Sequence, residues 1–168
     1  MEITELWDKD TEVYDAELQR RENRNRDYMY SLKDENLLLN FNLEAGRTSY
    51  QDMPAGIHGG WESPVCQLRG HFTGHFLSAA AMHYYSTGDE ELKSKADHIV
   101  SEIGECQKAN GGKWAASIPE KYFEWISQGR PVWAPHYTVH KLFMGLLDMY
   151  VYCGNRQALD IADRFADW

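Results

Sequence analysis

Cysteine is scarce. Cys66, Cys106 and Cys153 are the whole supply in 168 residues, far apart and odd in number. No CxxC pair occurs, so the sequence supports neither a disulfide framework nor a thiolate zinc site. Three reduced thiols, structural or idle, are expected. Cations are also short: 17 Lys and Arg stand against 26 Asp and Glu, a net charge of −9. Such a surface repels phosphate backbones, and no nucleic-acid partner is expected. No apolar run approaches the roughly 20 residues of a membrane span, which argues against a membrane protein. The opening "MEITELWDKD" has neither the basic nor the apolar region of a signal peptide, so a cytoplasmic location is the default expectation. Gly59-Gly60 and Gly111-Gly112 match no phosphate-loop pattern, and no strand precedes them.

Aromatics, by contrast, are plentiful. Six Trp, ten Tyr and six Phe exceed the needs of a minimal core, and 43% apolar content argues against disorder. The length suits one domain over residues 1–168.

The patterning is helical almost throughout. Residues 12–31 are polar and arginine-rich, without strand alternation. Residues 34–45 begin at a candidate cap, Asp34, carry Leu37, Leu38 and Phe41 on one face, and stop at Gly46. Residues 68–86 place Leu68, Phe72, Phe76, Ala79, Ala80 and His83 at helical spacing, with an apolar opposite face, which predicts burial all round. Gly88 stops that helix. Asp89 caps the next, whose stripe is Leu92, Ala96, Ile99, Val100 and Ile103.

The design then recurs. Residues 136–152 form a second apolar helix through Val139, Leu142, Phe143, Leu146, Leu147 and Tyr150. Gly154 stops it, Asn155 caps a successor, and Ala158, Ala162 and Phe165 form its apolar face. At an offset of 66 residues Tyr84 matches Tyr150, Gly88 matches Gly154, Ala96 matches Ala162 and Asp97 matches Asp163. A buried helix followed by an amphipathic one, twice, indicates a repeated αα-hairpin, the unit of an α/α toroid. The expected fold is therefore all-α, the N-terminal half of an (α/α)6 barrel, since a closed barrel of about 12 helices needs roughly twice this length. Its open edge should expose inner-helix surface and promote self-association.

The long connections, 46–67 and 107–135, should lie on one face, and loops this long are usually functional. There the sequence collects His58, Trp61, Glu62, Arg69, His71 and His75. The second loop carries Trp114, Tyr122, Phe123, Trp125 and Trp133, and His136, Tyr137 and His140 open the next helix. Aromatic faces stack on sugar C–H faces while polar side chains bond hydroxyls, so this mixture suits a carbohydrate. Alternatively these aromatics plug the end of the bundle. His71/His75 and His136/His140 are HxxxH pairs lacking the glutamate of the zinc-protease motif. They fit a polar site wall, buried structural histidines or, more weakly, a four-histidine metal site. Position at helix N-termini favours neutral imidazole. Glu62 is a weak candidate for acid–base work. It has no evident partner carboxylate at glycosidase spacing, and Asp148 reads as a buried polar group.

The blocks "GGWESP", "LRGHFTGHFLSAAAMHYYSTGDEELKSKADHIVSEIGECQKANGG" and "WAPHYTVHKLFMGLLDMYVYCGNRQALDIADRFADW" resemble glycoside hydrolase family 127, and "RRENRNRDYMYSLKDENLLLNFNLEAGR" resembles its N-terminal region. The resemblance covers about residues 12–168. It implies an (α/α)6 catalytic barrel that hydrolyses terminal beta-L-arabinofuranosides with retention. In that family a zinc ion held by cysteines and a glutamate activates a cysteine nucleophile, and another glutamate is the acid/base. The three cysteines here do not match that cluster, so no zinc is expected in this chain and none of its residues is assigned as catalytic. The resemblance carries over His140 as a sugar-facing residue, with His71, Trp61 and Glu62 following from the "GGWE…GH" block. His75, His136, Tyr137 and Trp133 join by position. The expected partner is an arabinofuranosyl glycan or glycopeptide, and the isolated chain is expected to hydrolyse nothing. A non-catalytic carbohydrate-binding or interaction module is the alternative.

Overall fold

The structure, a computed structural model, describes residues 15–168 and contains only helices, turns and loops there. Positions 12–14 of the first predicted segment lie outside the described residues. The helices are α1 (Ala16–Ser31), α2 (Asp34–Glu44), α3 (His71–Thr87), α4 (Glu90–Ala109), α5 (Lys121–Ser127), α6 (Pro135–Cys153) and α7 (Arg156–Ala166), with a single 3-10 turn at Gly60–Glu62. None of them is long and apolar enough to cross a membrane.

Local chemistry explains most boundaries. Asp89 accepts from the Leu92 N–H at 3.0 Å, and Asn155 accepts from the Ala158 N–H at 2.9 Å. Gly88 and Gly154 close α3 and α6 in the left-handed region, at φ 72° and 67°. The α4 stripe of Leu92, Ala96, Ile99, Val100 and Ile103 is wholly buried, as are Ala158, Ala162 and Phe165 of α7. Each large aliphatic side chain sealed this way contributes about 2 kcal/mol.

Several boundaries differ from the expectation. Lys33, not Asp34, precedes the first turn of α2, and Asp34 sits inside that turn, bonded to Lys95 Nζ. α3 starts at His71 rather than residue 68, because Gly70 adopts φ 84° and breaks the helical path. α5 interrupts the second long connection, 107–135.

α3 and α6 run side by side in one direction. Thr138 Oγ1 donates to the Leu68 carbonyl at 3.2 Å near their starts, and the Tyr85 and Tyr152 rings meet at 5.3 Å near their ends. Between these points the backbones touch. A Cβ on Gly74 would lie 2.1 Å from the Lys141 carbonyl oxygen, and one on Gly145 would lie 2.5 Å from the Gly74 oxygen. This approach rotates α6 away from its expected stripe. Gly145 and Met149 are buried, whereas Leu147 and Tyr150 are 43% and 37% exposed. Nor is α3 buried all round: Met82 is 43% exposed. α4 and α7 cover the other side, joined by Asn155 Nδ2 to Asp97 Oδ1 at 2.6 Å and by buried Gln107, which donates to the Ile161 carbonyl.

Candidate functional site

The starts of α3 and α6 lie together, and both long loops converge on them. α2 anchors the first loop through two buried asparagines. Asn36 donates to the Gly56 carbonyl and Asn40 to the Glu62 carbonyl, each at 2.9 Å. The second loop hooks onto the first twice. Ser117 Oγ donates to the Arg69 carbonyl at 2.9 Å, and Trp133 N–H donates to Gln67 Oε1 at 2.7 Å. The Ser117 hook demands glycine at position 70, where a Cβ would lie 1.8 Å from that hydroxyl oxygen.

On this frame Glu62 closes the head of α3. Its Oε2 accepts from Gly70 N–H at 2.7 Å and its Oε1 from Phe72 N–H at 2.9 Å. A side-chain acceptor at a helix start satisfies donors that have no partner within the helix and opposes the positive end of the dipole. The same Oε1 lies 2.7 Å from His71 Nδ1, which is also 3.0 Å from the Leu68 carbonyl. Burial pulls His71 toward neutrality, but the Glu62 carboxylate and the Leu68 carbonyl outweigh it and raise its pKa above 6.5. The carboxylate at the same helix end thus opposes at His71 the neutrality expected from helix position. At His75 burial first, then the charges of Lys141 and His71, lower the pKa.

Around these histidines stand aromatic side chains. Tyr137 lies 5.8 Å from His71 and 6.2 Å from His75, ring to ring, and its hydroxyl is 3.1 Å from His75 Nε2. Trp61 packs 6.2 Å from His71 and meets Trp133 edge-on at 6.0 Å. The two tryptophans are 61% and 50% exposed. Exposed indole faces beside the buried His71 and half-buried His75 imidazoles make a surface that is apolar and hydrogen-bonding at once, as sugar rings require.

The remaining candidates divide. His140 is exposed, and its charge reaches His75. His136 turns away and packs against Phe123 at 5.0 Å, outside the cluster. His58 meets Phe72 edge-on at 6.1 Å. Arg69 does not face the site. It is buried, donates to the Cys66 carbonyl and the Tyr122 hydroxyl, and pairs with Glu44 at 3.7 Å. Of the five loop aromatics only Trp133 joins the cluster. Trp114 is 3% exposed with its Nε1–H on the Ile118 carbonyl, Tyr122 is buried, and Phe123 and Trp125 pack on the core. Plugging the bundle thus accounts for four of the five. Asp148 is half-buried, and burial raises its carboxyl above the usual range despite a nearby Ser78. A separate cavity of about 400 Å³, lined by Glu120, Lys121, Phe123, Glu124 and Trp168, contains none of the cluster residues.

The residues that tie the two loops together, Ser117 and Gln67, escaped sequence reasoning, since nothing in their local pattern marks them. Asn40 left a faint signal as a polar residue within the apolar run Leu37–Phe41.

A family model described as beta-L-arabinofuranosidase, GH127 catalytic domain, matches residues 10–168. The chain belongs to glycoside hydrolase family 127. No curated protein matches it. As a family 127 chain it is of glycoside hydrolase type, and its Trp61–Glu62 and His71–His75 segments lie within the matched span.

Proposed function

We propose that this chain forms the sugar-binding wall of a retaining glycosidase domain acting on terminal L-arabinofuranosyl residues. The observation that carries the reading is the cluster of Trp61, Trp133, His71, His75 and Tyr137 at the joined heads of α3 and α6, in a family 127 chain. Indole faces take the apolar side of the furanose ring, and imidazole and phenol groups take its hydroxyls. His140, one turn along α6 from Tyr137, extends the same wall. The architecture we infer is half of an (α/α)6 toroid. The parallel pair α3 and α6 forms the inner layer, α4 and α7 the outer, and the uncovered Met82, Leu147, Tyr150 and Val151 mark the open edge.

We infer that these residues do not supply the reaction's nucleophile or zinc. Among the described residues no group of three or more His, Cys, Asp and Glu is placed to hold a metal ion. Cys106 is buried against Arg47 and Asn42, and burial raises its thiol pKa. Burial pushes Cys153 up to about 11. A thiol held protonated is a poor metal ligand and a poor nucleophile. Neither Cys106 nor Cys153 fits a zinc cluster in this state, and in this reading the chain's own contribution is to bind and orient the sugar.

The test is a titration with methyl beta-L-arabinofuranoside, read by tryptophan fluorescence, beside an assay with an aryl L-arabinofuranoside. Saturable quenching in about the millimolar range without turnover is expected. No quenching would sink the wall, and turnover would sink the division of labour. Tight binding without turnover would favour a non-catalytic carbohydrate-binding module.

A further inference from the structure

Glu62 is the one carboxylate in the cluster, which makes it the obvious choice for an acid or base. Its contacts point elsewhere. Both oxygens accept backbone N–H groups at the head of α3, and its own carbonyl is held by buried Asn40. The side chain is 12% exposed. To reach a substrate it would have to uncap α3 and leave two amide donors without partners, at a cost of about 2 kcal/mol or more. A general acid must deliver its proton without such a rearrangement.

His71 is placed differently. Two acceptors, Glu62 Oε1 and the Leu68 carbonyl, face the same ring nitrogen, Nδ1. An unprotonated Nδ1 would set its lone pair against both oxygens, so the proton belongs on Nδ1. Nε2 then remains, with no hydrogen-bond partner among the described residues, on a ring bordered by Trp61, His75 and Tyr137. His75 is already engaged through its Nε2 with the Tyr137 hydroxyl.

We propose that Glu62 is a positioning residue. It fixes His71 as the Nδ1–H form and leaves Nε2 as the atom that meets a sugar hydroxyl. The sugar half of this statement rests on the proposed function; the Glu62–His71 half does not. Leu68 reinforces the arrangement, because its carbonyl is also bound by Thr138 of α6 and cannot swing away. The ring orientation is thus set from both inner helices.

Nitrogen-15 NMR of the imidazoles in the whole chain reads the tautomer directly, without any sugar. The expected result is a protonated Nδ1 on His71 over the pH range in which the ring is neutral. A neutral ring carrying its proton on Nε2 would overturn the proposal, whether or not any variant folds. The second arm is a mutant cycle on methyl beta-L-arabinofuranoside binding. His71→Ala is expected to weaken binding about tenfold, and Glu62→Gln severalfold. In the His71→Ala background, Glu62→Gln should cost nothing further, since Glu62 acts through His71. An equal loss in both backgrounds would overturn the positioning role. If the unmodified chain binds no sugar, the proposed function and the hydroxyl contact fall together, and the hold of Glu62 on His71 is read by repeating the tautomer measurement in Glu62→Ala, where an Nδ1–H population as complete as in the unmodified chain would overturn it.

Discussion

α3 and α6 occupy matching places in two successive hairpins and end alike, each on a left-handed glycine. They begin differently. α3 opens on Gly70 at φ 84°, and the Glu62 carboxylate serves its first amides. α6 opens on Ala134 at φ 51°, with no side-chain cap and Pro135 in its first turn, where the absent N–H is no loss. The difference tracks location. The head of α3 carries the carboxylate–histidine pair and needs a negative group there. The head of α6 contributes Tyr137 and exposed His140 and needs none. A repeat can thus keep its stops and change its starts, and the changed end is where the histidine, tyrosine and tryptophan side chains gather.

The contact that both helices share gives the largest expected effect. Gly74→Ala and Gly145→Ala each push a methyl group into backbone that cannot rotate aside, so the helices must part. A loss of about 3 kcal/mol is expected for each in urea denaturation, and near-neutral variants would break the picture of touching backbones. Gly104→Ala in α4 is the control. Its nearest obstacle, 2.9 Å away, is the flexible end of Gln157, and the loss should be smaller.

The two starts should then respond oppositely. Gly70→Ala meets both a positive φ and the Ser117 hydroxyl, and should cost about 2 kcal/mol or more. Ala134→Gly relieves a left-handed alanine and should stabilise by up to about 1 kcal/mol. Thermal melts of the pair with equal signs would erase the contrast.

The smallest expected effect concerns pH. His71 is raised above 6.5 in the fold, so its stabilisation is complete below 6.5 and fades as pH climbs through the raised value. His75 is lowered, so its contribution is present above 6.5 and fades as pH falls. His71→Gln should therefore cost more stability at about pH 5 than at about pH 8, and His75→Gln less. Matching pH profiles for the two variants would show that Glu62 does not distinguish them.

Legibility in the sequence followed the range of the interactions. Asp89, Asn155, Gly88 and Gly154 act within a few residues, and their roles were readable directly. So was the α4 stripe, since charges surround it on the helix. What depended on distant partners was hidden. Residues 68–70 look helical until Gly70 is seen to turn left-handed against Ser117, with no room for a Cβ. Leu147 looks like core until Gly74 draws Gly145 inward. Trp114 and Tyr122 look like sugar platforms until they are seen to fill the space under the second loop. Within the site, Trp61, His71, His75, Tyr137 and Trp133 were readable as a group because both loops lead to one end of the bundle. The inward role of Arg69, and the outward turn of His136 onto Phe123, were not.

The glycine contact between α3 and α6 also acts as a fulcrum. At about 1.5 Å of rise per residue, His71 stands roughly 5 Å from Gly74, while Met82 stands about 12 Å beyond it on the other side. A change of about 10° in the angle between the helices would move the histidine end by under about 1 Å and the far end by about 2 Å. The cluster sits on the short arm of this lever, so any given change in crossing angle displaces the imidazoles and indoles less than the far ends.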